Sequence, residues 1–155
     1  MKNLLKLALF VLLFCISSIE SRAQNQDTAL INEFISKQAT QDGGGEYEDA
    51  RKVVMGDLNR DGVADLAVLY TIEGQNGSNN YIQYLAVFTR NKGGLVPVTH
   101  IAVGGKSNRS VELKSIRNGV IFFKTLNYGP KDASCCPSKK GAARFVLVNG
   151  RLKEL

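Results

Sequence analysis

Two rhythms of apolar and polar positions divide the chain near residue 45. From Asp27 to Gln38 the apolar residues Leu30, Ile31, Phe34 and Ile35 fall at i, i+1, i+4 and i+5. That spacing predicts an N-terminal helix over 27–38 with one apolar face, its start capped by Asp27 or Thr28. Asp42-Gly43-Gly44-Gly45 then reads as a flexible connector. Beyond it the apolar residues gather in short runs rich in Val, Ile, Leu, Phe and Tyr. These are Tyr47–Met55, Asp65–Glu73, Tyr81–Arg90, Leu95–Val103, Val111–Arg117, Val120–Leu126, Arg144–Val148 and Arg151–Leu155. Asn118-Gly119 and Asn149-Gly150 each separate two runs, and Asn-Gly tolerates the positive φ angles of a type I′ hairpin turn. Lys92-Gly93-Gly94 closes a further hairpin, with Pro97 pushing its second strand towards a sheet edge. The expected fold class is mainly β (α+β): an antiparallel β meander, sheet or half-barrel, with the N-terminal helix as its lid.

One apolar run precedes all of these. Lys2 and Lys6 stand before Leu7–Ile16, and Ser21-Arg22-Ala23 follows. This is the order of a secretory signal peptide over residues 1–23, leaving a single β-rich domain over 24–155. The run is too short to span a bilayer, which needs about 20 apolar residues. The address implied is periplasmic or secreted, in a bacterium, with no transmembrane segment once the signal is removed.

Composition changes this picture little: 44% hydrophobic, 22% charged, no Trp, 3 Pro. It excludes disordered, collagen-like and disulfide-dense classes. Charge changes it more. From Gln24 to Glu73 ten acids face four bases, a balance of −6; from Gly74 to Leu155 thirteen bases face three acids, a balance of +10. One half suits cations and the other an anionic envelope component or partner protein. The competing reading is that the lysines only solvate strands and blunt their edges. Nucleic acid is not expected, because no recognition helix and no aromatics interleave the bases.

The sharpest motif is Asp57-Leu58-Asn59-Arg60-Asp61-Gly62-Val63-Ala64-Asp65. Side-chain oxygens recur at positions 1, 3, 5 and 9, with Gly at position 6 to permit a sharp turn. A hard cation such as calcium takes six to eight oxygens at about 2.4 Å. The ligands would be Asp57, Asn59, Asp61, the carbonyl of Val63, and Asp65. Position 12 is Val68 and the flanks read as strands, which excludes an EF-hand. A plain acidic turn, closed by side-chain-to-backbone bonds, is the alternative. Arg60, at the non-ligand position 4, is expected to point outward. The run Val53–Val68 resembles the strand–loop–strand calcium motif of FG-GAP and VCBS repeats. In that family the positions matching Asp57, Asn59, Asp61, Val63 and Asp65 bind calcium, the Val63 match through its carbonyl. Those families carry several copies and this chain carries one, so the resemblance implies the loop and not a propeller.

Apart from Cys15 in the signal, the cysteines are Cys135 and Cys136, inside Asp132-Ala133-Ser134-Cys135-Cys136-Pro137-Ser138-Lys139-Lys140. Adjacent Cα atoms stand about 3.8 Å apart, below the usual disulfide range of about 4.4–6.8 Å. Three readings stay open: a vicinal disulfide that rigidifies a loop, two free thiols, or an intermolecular bridge or soft-metal pair. The order of Gly-Asp-Leu-Asn-x-Asp-Gly loop, meander, Cys-Cys-Pro-Ser and final strand also resembles small uncharacterised exported bacterial proteins, including some lipoproteins. That resemblance implies no activity.

Gly104-Gly105-Lys106-Ser107 looks like the end of a phosphate loop, but its first Gly would fall on His100 and its flanks are strands. No nucleophile elbow is present, and a catalytic triad would rest on His100 alone. The sequence therefore points to an exported, non-catalytic binding module with a structural calcium loop. The alternatives are an inhibitor or immunity-type protein using the Cys135-Cys136 loop, and a metal-assisted hydrolase built on the aspartates.

Overall fold

The computed structural model describes residues 24–155. The signal-peptide reading of residues 1–23 lies outside them. Residues 24–42 are helical (α1), longer at both ends than the expected 27–38. Asp27 and Thr28 therefore do not cap the helix: they lie within it, and the Thr28 hydroxyl donates to the Gln24 carbonyl at 2.9 Å. Residues 34–155 form one compact unit.

The triple glycine after the helix is a packed corner and not a flexible connector. Gly43 sits at φ +65°, and Gly44 N–H donates to the Ala39 carbonyl at 3.0 Å, the bond that ends many helices. A Cβ on Gly44 would stand 2.5 Å from the Glu73 carbonyl oxygen, so this close approach requires glycine.

The strands are β1 (Gly45–Glu46), β2 (Lys52–Gly56), β3 (Asp65–Glu73), β4 (Tyr81–Asn91), β5 (Gly94–Gly105), β6 (Arg109–Arg117), β7 (Val120–Asn127), β8 (Lys139–Val148) and β9 (Arg151–Glu154). All pairings are antiparallel, in the order β1-β3-β4-β5-β6-β7-β8-β9, with β2 also on β3. The sheet is open and does not close into a barrel. The expected strand Tyr47–Met55 is interrupted: Glu48–Ala50 make a 3-10 turn, bridged by an ion pair from Arg51 to Glu46.

The meander folds back on itself. β5 and β6 pair only at Gly105 and Arg109, so β6–β9 swing across the face of β3–β5. The two layers share one core, with Ala67, Leu69, Leu85, Val87 and Val103 from the first and Val111, Leu113, Ile121, Phe123 and Phe145 from the second. Side chains complete the corner where backbone pairing stops. Gln83 donates to the Val111 carbonyl at 3.2 Å and accepts from its N–H at 2.9 Å, imitating a strand. Arg109 donates to the Val103 carbonyl at 2.7 Å and to both carboxylate oxygens of Glu154, tying β5, β6 and β9.

From Phe34 onward the helix packs on the other face of the first layer. Phe34 meets Phe88 edge-on at 5.2 Å, and Asp42 accepts from the Tyr84 hydroxyl at 2.8 Å. β3 is thus buried on both faces from Asp65 to Ile72. The expectation of a helical lid over the inner face is refined accordingly. The inner face of the meander is covered by its own second half, and the helix takes the opposite side of β3 and β4.

Candidate functional site: the cation loop, the basic face and the cysteine segment

The loop 57–64 joins β2 to β3, anchored by buried Leu58 in the shared core. Asp57 accepts from Arg60 N–H at 2.5 Å and from Gly62 N–H at 2.9 Å. Asn59 Oδ1 accepts from Asp61 N–H at 3.0 Å, and Asp61 Oδ1 from Val63 N–H at 2.8 Å. Asn59 Nδ2 donates to Asp61 Oδ2. Arg60 takes a left-handed backbone (φ +65°), and its Nε lies 3.5 Å from where a Cβ on Gly119 would stand. Its side chain is therefore turned towards the β6–β7 hairpin.

Each of these loop oxygens holds one N–H, and a carboxylate oxygen has capacity for a second partner. Asp57, Asn59, Asp61 and the Val63 carbonyl thus have donor chemistry that fits a hard cation. No cluster of three or more acids, cysteines or histidines is gathered for a metal among the described residues.

Asp65 has a further role that spacing did not reveal. It is fully buried, and its two oxygens accept from Leu58 N–H and Arg90 N–H, each at 2.9 Å. One carboxylate thereby pins the loop's start to the end of β4. The sequence signal was an acid opening the otherwise apolar run Leu66–Leu69, where only a hydrogen-bonded charge is tolerated.

A groove of about 460 Å³ runs between this loop and the Asn118-Gly119 and Asn149-Gly150 turns. Among the described residues, Arg60 is the one ionisable side chain lining it. His100 packs edge-on against Phe34 and Tyr84, at 5.4 and 5.9 Å, on the helix side of the sheet. Burial, then the bond to Asp42, pushes the Tyr84 phenol up to about 12.

The basic half of the sequence acquires a direction in the fold. On β6–β9 the residues between the core positions face solvent. They include Lys114 and Arg117 on β6, Lys124 on β7, Lys140 and Arg144 on β8, and Arg151 and Lys153 on β9, all exposed. Register places Lys124 beside Glu112, Arg144 beside Phe122, and Lys140 beside Leu126. Arg117 lies over the Phe122 ring at 4.8 Å. The acid on this face, Glu112, is held below the usual carboxylate range by a hydrogen bond from Lys114, with the charges of Lys124 and Lys52 adding to it. Leu126 and Val148 add exposed apolar surface.

The cysteine segment lies at the far end of β7 from the cation loop, about 25 Å away along eight residues of strand. The Cys135 and Cys136 sulfurs are at disulfide distance, which favours the vicinal-bridge reading over free thiols or an external bridge. Both residues are exposed. Asp132, which sequence reasoning passed over, organises the segment by accepting from Gly129 N–H, Ser138 N–H and the Ser138 hydroxyl at 2.7–2.8 Å. Those bonds hold its carboxyl below the ordinary range. Tyr128 donates to the Ser134 carbonyl at 2.7 Å and accepts from Ser107 N–H, linking the segment to the β5–β6 turn.

No family model, no curated protein and no solved structure matches the chain. The class its fold and site define is thus a helix-covered antiparallel sheet folded across itself, with an oxygen-rich loop at one end and a cysteine segment at the other. Among the described residues, no helix is long and apolar enough to cross a membrane.

Proposed function

We propose that this protein is an exported, non-catalytic binding module that docks on an anionic envelope surface through the outer face of β6–β9. The observation that carries the reading is the one-sided layout of Lys114, Arg117, Lys124, Lys140, Arg144, Arg151 and Lys153 around a single paired acid, Glu112. The inner face of the same strands is apolar and buried, so these cations can be presented together without cost to the core. Each Lys or Arg near an anionic surface contributes about 1 kcal/mol. Exposed Leu126 and Val148 give the same face some apolar contact.

The test is co-sedimentation with vesicles of a neutral phospholipid, with and without an anionic one. Binding is expected only to the anionic vesicles and should weaken as salt rises, because screening shortens to about 8 Å at physiological ionic strength. Lys124→Glu with Arg144→Glu should weaken it by on the order of 1000-fold, at about 1 kcal/mol for each charge lost and again for each reversed. Equal binding to both vesicle types, or an unaffected double variant, overturns the reading. The inhibitor-type alternative draws on the exposed, hydrogen-bonded Cys135-Cys136 segment. It would gain if Cys135→Ser with Cys136→Ser, and not the charge reversals, abolished a protein partner's binding.

The oxygen-rich loop completes the proposal as a calcium site of structural purpose, formed by Asp57, Asn59, Asp61 and the Val63 carbonyl, with Asp65 at its base. A cation there would offset the repulsion among the carboxylates. Calcium in excess over its dissociation constant should raise Tm, since a ligand bound only by the folded state stabilises it by about 2.7 kcal/mol at a hundredfold excess. Asp61→Ala should remove most of that rise. Identical melting curves in calcium and in chelator would rule the site out.

A further inference from the structure

We propose that Cys135 and Cys136 form a surface site for reversible thiol–disulfide exchange with an external dithiol. The bridge has no staple to provide. It joins adjacent residues, so it closes no chain loop and removes little unfolded-state entropy. Nor does the segment depend on it for shape. Asp132 clasps Gly129 and Ser138 on either side of the pair, Tyr128 holds the Ser134 carbonyl, and Cys136 N–H donates to the Ala133 carbonyl at 2.9 Å. None of these bonds involves sulfur.

What the bridge does have is access. Cys135 and Cys136 are both exposed, as are Ala133 and Ser134 before them and Ser138 after them. A thiolate can approach without any part of the core opening, and access is one of the controls on exchange rate. Electrostatics act the same way. Lys131 and Lys139 flank the pair in sequence and are exposed, and cations beside a leaving cysteine favour its thiolate form. The acid of the segment, Asp132, turns both oxygens to hydrogen-bond donors. No other cysteine lies among the described residues, and the exchange takes its partner thiol from another molecule.

The step balances as follows. A thiolate of the external dithiol attacks one sulfur, the Cys135–Cys136 bond breaks, and the departing cysteine leaves as a thiolate that takes up a proton. The donor's second thiol then attacks the mixed disulfide. The donor departs oxidised, and the protein has gained two electrons and two protons as two thiols. Reoxidation by a disulfide of the same class runs the steps in reverse. The site is independent of the docking face, and its test does not involve vesicles.

The experiment treats the purified folded protein with a small dithiol, traps thiols with an alkylating reagent, and weighs the peptide carrying Cys135 and Cys136. Without reductant, no label is expected on that peptide. With it, both cysteines should be labelled in the native protein at a rate within about tenfold of that in denaturant, since access is already open. The reduced protein should keep its Tm within about 2 °C. Cys136→Ser should leave Cys135 able to form a stable mixed disulfide with a disulfide-form probe, capturing the first half of the exchange. Labelling without reductant, reduction only on unfolding, or a Tm that collapses on reduction would each overturn the proposal.

Discussion

Replacing Asp65 with Ala should cost about 3–5 kcal/mol and lower Tm by on the order of 10–20 °C, with no calcium present. The buried carboxylate accepts from Leu58 N–H and from Arg90 N–H, and Ala offers neither an acceptor. An orphaned buried donor costs about 1–3 kcal/mol, and bonds to a charged acceptor lie at the upper end of the range. The loss would fall where β2, the loop and the end of β4 meet, so the loop should loosen as the core weakens. Asp65→Asn keeps one acceptor oxygen and should fall between wild type and Ala. Asp61→Ala is the contrast. Asp61 is exposed and bonds only within the loop, so its stability cost without calcium should stay below about 1 kcal/mol. Urea or thermal unfolding of the three variants in chelator decides it. Equal, small effects at both positions would show that Asp65 is not the pin described here.

Gly105→Ala should be the next most damaging change, at about 2–4 kcal/mol. Gly105 stands at φ +146°, a region nearly closed to other residues, and a Cβ there would lie 2.7 Å from the Tyr81 carbonyl oxygen. The obstacle is backbone, so no side-chain rotation relieves it. Gly105 is also half of the one backbone pair between β5 and β6. Disturbing it should weaken the turn on which β6–β9 fold over β3–β5. Gly45→Ala is the control, because nothing lies within 4 Å of a Cβ at that position. It should be neutral or mildly stabilising, since the unfolded chain loses freedom. Comparable Tm losses in the two variants would count against the corner's special role.

The strands were the most legible part of the fold. Asp65–Glu73 and the start of β4 at Tyr81 fall where the apolar runs place them. Asn118-Gly119 and Asn149-Gly150 take positive φ at both residues, as the I′ reading requires. These features depend on a few neighbouring residues, and local sterics decide them. The helix was found, but its start was not. A polar stretch with good helix formers can be helical without an apolar face, and periodicity is blind to it. At the other end, the triple glycine read as slack because sequence shows what glycine permits, and only the approach of Glu73 shows what it was needed for.

The candidate sites divide in the same way. The sequence by itself determined that oxygens alternate from Asp57 to Asp65, that positive charge gathers after Gly74, and that two cysteines are neighbours. Each is a property of local order along the chain, which the chain carries into any fold. Tertiary structure alone decided which face the positive charge occupies, that Asp65 reaches Arg90, and that Asp132 and Ser138 clasp the cysteine segment. It also decided that the meander closes over itself and not under the helix, through Gln83 on Val111 and Arg109 on Glu154. These contacts join residues far apart in sequence. Their formation depends on a shared core burying the inner faces of both layers, a long-range gain that no window of neighbouring residues contains.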